Sequence, residues 1–239
     1  MKKVSRVRRP IIISGMLVAV TALLIGSAVL VTRRDAPPAA STDLEQLGRY
    51  GEVPSFALTE RSGRRVTRDD LRGSAWVVDF IYTECTESCP TQSLQLAQLQ
   101  REFTGAADLR LVSITVDPAH DTPEVLQAYA ERYGASDRWW FLTGEKREIY
   151  CLAREGFRLG VVDPRSAAPP DCRRVSWLGP AQAWASHGSQ GLVMHSARMA
   201  LVDRRGQIRA YHLATDPDSV ARLRANLRRL LNAPPGREE

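Results

Sequence analysis

The chain has 239 residues and a net charge of +6, and the basic excess is confined to its start. Residues 1–35 hold seven of the 33 Lys and Arg residues and one of the 27 Asp and Glu residues, which leaves 26 of each sign in the remainder. A neutral remainder lacks the positive surface that nucleic-acid binding needs, so we expect no nucleic-acid partner; the length suits one α/β domain with tails.

The N-terminal segment predicts a membrane anchor. Five basic residues within 1–10 precede an uncharged apolar stretch at 11–31, which is long enough to cross a bilayer. Secretory signal cores are shorter, so we expect an uncleaved anchor, with cleavage near Ser41 as the alternative. The positive-inside rule then predicts a cytoplasmic segment at 1–10, a single transmembrane helix at 11–31 in the inner membrane and a main domain in the periplasm.

The rest of the chain predicts a polar spacer at 32–50, one domain at 51–232 and a tail at 233–239. Periodicity and turn residues predict the following elements in chain order: a hairpin of 56–60 and 64–67, a strand at 75–82, a helix at 90–103, a strand at 109–116, a helix capped by Asp121 or Thr122 and stopped by Gly134, a strand at 139–143, a helix at 145–156, an irregular segment at 161–191, a hairpin of 197–203 and 207–212, and a last helix opened by Pro217. This order is typical of the thioredoxin-like fold, a central mixed sheet flanked by helices.

A dithiol stands where the first long strand meets its helix. Cys85 and Cys89 lie in the sequence TECTESCPTQSL, with Pro90 in the predicted first turn. Residues four apart share one face of a helical turn, so both sulfurs could bind one copper or zinc ion or form one disulfide. Helix N-terminal amides also favour the thiolate, which serves ligation and nucleophilic attack alike. A structural disulfide or a pair of inert thiols is the simpler alternative, and the spacing alone does not choose.

Three motifs in order resemble those of the Sco/SenC family of copper-binding, thioredoxin-fold assembly factors for cytochrome c oxidase. They are TECTESCPTQSL, TVDPAHDTPEVLQAYAERYG and MHSARMALVDRRGQIRAYH, and the resemblance spans about residues 50–232. It implies that Cys85, Cys89 and His195 bind one copper ion. It also implies two partners, a copper-accepting subunit of a respiratory oxidase and a copper donor protein. Two thiolates and one imidazole suit Cu(I), and the nitrogen donor with an additional weak ligand lets the site hold Cu(II) as well.

The chain departs from the family pattern at two positions. Met194 stands before the histidine where the family usually has an acidic residue, and Thr86 follows the first cysteine where proline is common. A thioether favours Cu(I) and the lost acid would favour Cu(II), so we expect weaker retention of Cu(II).

The other histidines and cysteines carry weaker signals. We expect His120, in the loop DPAHD, to be a solvated surface residue, and we assign no site to His187 or His212. Cys151 and Cys172 bracket a Pro-rich segment, and in an oxidising compartment they would form a disulfide. The alternatives are a buried Cys151 with a free Cys172, or a resolving thiol for Cys85 or Cys89.

Three functions are compatible with this pattern. The first is a non-catalytic copper chaperone. The second is a membrane-anchored thiol-disulfide oxidoreductase, with Cys85 and Cys89 redox-active, that reduces target cysteines. Against it, the segment GLVMHSARM lacks the proline that thioredoxins place beside their dithiol. The third, a peroxidase, has only Arg198 in its favour.

Overall fold

The structure, a computed structural model, describes residues 43–160, 172 and 197–234. The predicted anchor at 11–31, most of the irregular segment at 161–191 and His195 lie outside these residues. Among the helices within the described ranges, none is both long enough and apolar enough to cross a membrane.

The described part of the chain contains seven strands and four α-helices. The strands are β1 Ala57–Glu60, β2 Arg65–Thr67, β3 Ala75–Ile81, β4 Leu109–Thr115, β5 Trp139–Thr143, β6 Arg198–Val202 and β7 Ile208–Leu213. The helices are α1 Ser88–Glu102, α2 Pro123–Arg132, α3 Lys146–Cys151, which continues as a π-helical turn over Leu152–Gly156, and α4 Pro217–Asn232. Every predicted strand and helix in the described ranges is therefore confirmed, with its ends within about two residues.

One mixed sheet carries the strands in the order β2-β1-β5-β4-β3-β6-β7. The central strands β3, β4 and β5 run parallel, so their carboxyl ends meet at one edge. The hairpins add antiparallel strands on both sides, β1 against β5 and β6 against β3. This mixed sheet flanked by helices is the predicted fold class, and its carboxyl edge is where a site is expected.

Two hydrophobic layers cover the sheet, because side chains of a strand point alternately to its two faces. Along β3, Val77 and Ile81 pack with α1, α2 and α4, whereas Val78 packs on the opposite face with α3 and its π-helical turn. All seven residues of β3 are buried. A strand that is covered on both faces has apolar residues at nearly every position, which explains the sequence WVVDFIY. Asp79 is the one charged residue in this sequence, and its burial is therefore unusual.

Local signals explain where α2 begins and ends. The hydroxyl oxygen of Thr122 accepts a hydrogen bond from the amide of Val125, so Thr122 and not Asp121 is the N-cap. After the helix, Gly134 has φ of 64°, a left-handed conformation that glycine adopts without steric cost. Asp121 is thereby left for a different role, in the loop described below.

The folded part begins earlier than the predicted boundary at residue 51. Within the predicted spacer, the amide of Tyr50 donates to the carbonyl of Ile208 at 2.9 Å. Glu45 is buried, accepts a hydrogen bond from the Ser219 hydroxyl at 2.6 Å and forms an ion pair with Arg222. These contacts fix residues 45–50 to β7 and α4, so the spacer is shorter than its composition suggested.

Candidate metal centre

Cys85 and Cys89 lie at the carboxyl end of β3, on two different local structures. After Ile81 the chain turns, and the amide of Cys85 donates to the carbonyl of Tyr82 at 3.1 Å. Helix α1 begins at Ser88, so Cys89 is its second residue whereas Cys85 precedes it. The expectation that one helical turn carries both thiols is therefore wrong; the turn after β3 brings Cys85 back to the helix start. Both cysteines are free thiols, with Cys85 half-buried and Cys89 buried.

The sulfur of Cys85 accepts hydrogen bonds from the start of α1. Burial opposes its ionisation, but hydrogen bonds from the Cys89 thiol, the amides of Cys89 and Glu87, and the Tyr82 hydroxyl outweigh burial and lower the pKa of Cys85. The amides belong to the unpaired donors of a helix N-terminus, which stabilise an anion. Cys85 is therefore the thiol that ionises first.

Cys89 and Tyr82 show the opposite shift. Burial, and then donation of its proton to Cys85, raise the pKa of Cys89. Burial and the neighbouring Cys85 sulfur raise the pKa of Tyr82 to about 12, which keeps its hydroxyl protonated as a donor. In the reduced pair Cys85 therefore loses its proton before Cys89, and the Tyr82 hydroxyl and the Cys89 thiol both donate to its sulfur.

A buried carboxyl lies in β3 on the same face of the sheet as the dithiol helix. Asp79 is fully buried, and its Oδ1 accepts a hydrogen bond of 2.6 Å from the Ser113 hydroxyl, which in turn accepts one of 3.0 Å from Trp139 Nε1. Among the described residues no hydrogen-bond donor reaches its Oδ2. Burial, only partly offset by Ser113, raises the pKa of Asp79 to about 7. Negative charge on Asp79 also adds to the burial that raises the pKa of Cys89.

A second group of polar side chains lies at the same edge. Glu84, Asp117 and His120 come from the ends of β3 and β4, and their ligand atoms all lie within 4.8 Å of one another. The expected solvated His120 is in fact held in place, because its Nδ1 lies 2.9 Å from Oδ1 of the buried Asp121. Asp121 also accepts the Thr83 and Thr115 hydroxyls, each at 2.5 Å, and so ties the loop after β3 to the loop after β4.

The remaining predicted residues fall into two groups. His195, Met194 and His187 lie outside the described residues. Cys151 and Cys172 form a disulfide in the structure, with a Cα–Cα distance of 5.5 Å.

His212 lies in the core, where its Nε2 is 3.2 Å from the Asn226 amide, and burial lowers its pKa to about 4. It is structural, in keeping with the absence of a site assignment from the sequence.

Sequence reasoning missed the hydrogen-bonding neighbours of the site. Periodicity predicts only that Tyr82 ends a buried strand, and capping preference predicts only that Asp121 or Thr122 caps a helix. The available signal was chemical: a tyrosine three residues before a cysteine, and an acidic residue directly after a histidine. Because β3 and β4 run parallel, the loops that carry Cys85 and Asp117 leave the same edge of the sheet.

Comparison with known proteins agrees with this architecture. A family model described as SCO1/SenC matches residues 45–232. The SCO1 protein homolog of Bacillus subtilis is 35% identical over 116 residues, which are 47% of this chain and 60% of that protein, so the match spans less than two thirds of its length. The structure of BsSco, a member of the Sco family of cytochrome c oxidase assembly proteins, superposes with a TM-score of 0.61 at 24% identity over 79% of this chain and 99% of BsSco. Bradyrhizobium japonicum ScoI with copper bound gives a TM-score of 0.53 at 23% identity over 75% of this chain and 99% of ScoI. The family match covers most of the chain, from the residues that dock on β7 and α4 to the end of α4, and the chain therefore belongs to the SCO1/SenC family.

Proposed function

We propose that this protein is a copper chaperone that binds one copper ion through Cys85, Cys89 and His195 and serves the assembly of the copper centre of a respiratory cytochrome c oxidase. The observation that carries the proposal is the free dithiol whose first sulfur is stabilised as a thiolate at the carboxyl edge of the sheet. Family membership and the copper-bound ScoI relative support it.

The two thiols suit reversible copper binding. Cys85 ionises readily and provides the first thiolate, whereas Cys89 must lose its proton when the metal binds. Affinity therefore falls as the pH falls, because each proton on a sulfur competes with copper. The half-buried Cys85 leaves a path by which a thiolate of the accepting protein can reach the ion and take it by ligand exchange.

The oxidation state of the cargo depends on the position before His195. Met194 replaces the acidic residue usual in the family, and a thioether is a soft donor that favours Cu(I). The Met194→Asp variant should bind Cu(II) more tightly than the parent while Cu(I) affinity changes little. Equal Cu(II) affinity in the two proteins would exclude a role for this position.

Titration of the reduced full chain with copper tests the ligand set. We expect one equivalent of Cu(I) to bind, and His195→Ala, Cys85→Ser and Cys89→Ser each to weaken binding strongly. His187→Ala is the matched control, since it removes another histidine of the same sequence region, and it should bind copper as the parent does. Unchanged affinity in His195→Ala would remove the histidine from the ligand set.

A second candidate function, thiol-disulfide reduction of target cysteines, is favoured by the unequal thiols. The Cys85 thiolate would attack a target disulfide and release one target thiolate; Cys89 would then lose its proton and attack Cys85, which releases the target as a dithiol and leaves a Cys85–Cys89 disulfide. A thiol reductant must then restore the dithiol. Rapid insulin reduction that persists in His195→Ala would favour this activity over copper transfer.

The site of action follows from the predicted topology. An anchor at 11–31 with a basic cytoplasmic segment before it would hold the domain on the periplasmic face of the inner membrane. There the partners would be the copper-accepting oxidase subunit and a copper donor. Reporter fusions placed at residue 45 and at the C-terminus should both report a periplasmic position, and cytoplasmic activity from either would overturn the orientation.

A further inference from the structure

We propose that Glu84, Asp117 and His120 form a second metal site, which takes a divalent cation of borderline hardness, Zn²⁺ or Cu²⁺, and is separate from the dithiol. The proposal concerns a different set of ligands from the proposed copper site. Among the described residues, neither Cys85 nor Cys89 belongs to this cluster.

The spacing of the three ligand atoms suits a single ion. His120 Nε2 lies 3.4 Å from an Oε atom of Glu84. Two donors that bind one tetrahedral ion at about 2.0–2.1 Å are separated by roughly 3.3 Å, so this pair already has the required distance. The ligand atoms of the whole group lie within 4.8 Å of one another, about 1.5 Å more than the donor separation in a tetrahedral site, and the Glu84 side chain that must adjust is exposed.

The protonation of His120 is set by the residue behind it. Asp121 is fully buried, and its carboxyl oxygens accept the Thr83 amide at 3.1 Å and the Thr83 and Thr115 hydroxyls at 2.5 Å each. A carboxylate with these donors accepts from His120 as well, so the hydrogen-bond network assigns the ring proton to Nδ1. In the neutral ring, the lone pair is then on Nε2, the atom that faces Glu84.

This arrangement places three electron-pair donors around one point. The imidazole lone pair and the oxygens of Glu84 and Asp117 are all electron-pair donors, so a metal ion between them could be bound by all three. A carboxylate that orients a metal-binding histidine through its other ring nitrogen is the usual outer arrangement of zinc sites. The network of Asp121 supplies that arrangement without a metal present, so the site is organised before any ion arrives.

The donor set also selects the ion. One imidazole and two carboxylates suit Zn²⁺ and Cu²⁺, with Cu²⁺ bound more tightly by the usual order of affinities, and they disfavour the soft Cu⁺ ion. Asp117 is buried, His120 is 36% exposed and Glu84 is 59% exposed, so an ion can enter from solvent and keep an open coordination position. The proposed dithiol site has the opposite preference, so the two sites would differ in the oxidation state of the copper that they accept.

Metal titration in a background without the dithiol site tests this proposal. The full chain in detergent, with Cys85→Ser, Cys89→Ser and His195→Ala, should bind one equivalent of Zn²⁺ by calorimetry. It should also bind one equivalent of Cu²⁺ with nitrogen hyperfine structure in its electron paramagnetic resonance spectrum. Because loss of an outer partner alone costs about 10–100-fold in affinity, His120→Asn and Glu84→Gln should each cost at least about tenfold.

The controls separate a metal site from an ion pair. Glu87→Gln removes one negative charge from the same loop outside the cluster, and it should leave Zn²⁺ affinity unchanged. Absence of binding in the triple variant, or binding that His120→Asn does not weaken, would mean that His120 and Glu84 form only an ion pair. Because the background has lost the proposed copper ligands, either failure leaves the copper proposal untouched.

Discussion

Replacement of Asp79 by asparagine should stabilise the protein above pH 7. Asp79 is fully buried in β3 on the face that the helix of Cys89 covers, and the Ser113 hydroxyl donates a hydrogen bond to its carboxyl group while Oδ2 has no described partner. Burial raises its pKa from 3.8 to about 7. The folded protein therefore binds a proton that the unfolded chain releases near pH 4, so stability from this group is complete below pH 4 and is lost as the pH rises through 7.

The size of this effect follows from the shift. About three pKa units at 1.36 kcal/mol each give roughly 4 kcal/mol as the cost of ionising Asp79 in the folded state. Asparagine keeps an oxygen for the Ser113 hydroxyl but places an amide nitrogen where no acceptor is described, which costs about 1–3 kcal/mol. The net gain at pH 8 should therefore be about 1–3 kcal/mol, and at pH 4 the variant should be equal to or less stable than the parent.

Urea unfolding of the reduced, metal-free protein at pH 4.5, 6 and 8 measures both effects. The difference in unfolding free energy between Asp79→Asn and the parent should change sign across this range. Asp137→Asn, at an exposed position, is the matched control and should show a constant small difference. Parallel pH profiles for Asp79→Asn and the parent would show that Asp79 is already ionised in the fold, and would refute the reasoning.

Three further outcomes follow from the same contacts. Removal of the disulfide by Cys151→Ala should lower the unfolding free energy by about 3 kcal/mol, because the two cysteines are 21 residues apart in sequence, and should lower Tm by roughly 6–12 °C. An equal Tm for the parent with and without reductant would contradict this prediction, as would free thiols at Cys151 and Cys172 in the oxidised protein. Iodoacetamide should modify Cys85 before Cys89 in the reduced protein because their pKa values shift in opposite directions, and peptide mass spectrometry showing equal rates would contradict this. Burial lowers the pKa of His212 to about 4, so its neutral form contributes stability that is present above pH 6.5, and the unfolding free energy should fall by roughly 3 kcal/mol as the pH falls to 4. Urea unfolding of His212→Gln should lack this decrease. A decrease identical to that of the parent would show that another group causes it.

The elements of the fold could be predicted because their signals are local. The apolar run of β3, the cap at Thr122 and the proline that opens α4 each act within a few residues of the position that they determine. The carboxyl-edge rule added one non-local fact, that the loops after β3 and β4 meet. The end of the spacer could not be predicted, because composition does not reveal that Glu45 meets Ser219 on α4.

The dithiol was predictable from the sequence, whereas the difference between its two thiols was not. The spacing of Cys85 and Cys89 identifies a dithiol, but which thiol ionises depends on Tyr82 and on the amides at the start of α1. Those contacts exist because Cys85 precedes the helix and turns back on it. Had both thiols stood on one helical turn, the same amides would not distinguish between them. The unequal thiols are thus a product of the tertiary turn after β3.

The proposed second metal site would need little reorganisation of the loop that carries His120. The loop after β4 is held by Asp121, whose contacts to Thr83 and Thr115 do not depend on residue 120. A histidine at that position has its ring oriented by a carboxylate already present, so the added cost of organising a ligand is small. His120→Asn should therefore weaken Zn²⁺ binding at least about tenfold while it leaves the unfolding free energy of the metal-free protein within about 0.5 kcal/mol of the parent, because Thr83 and Thr115 still donate to Asp121. A loss of several kcal/mol would instead make His120 part of the structure that holds the two loops together.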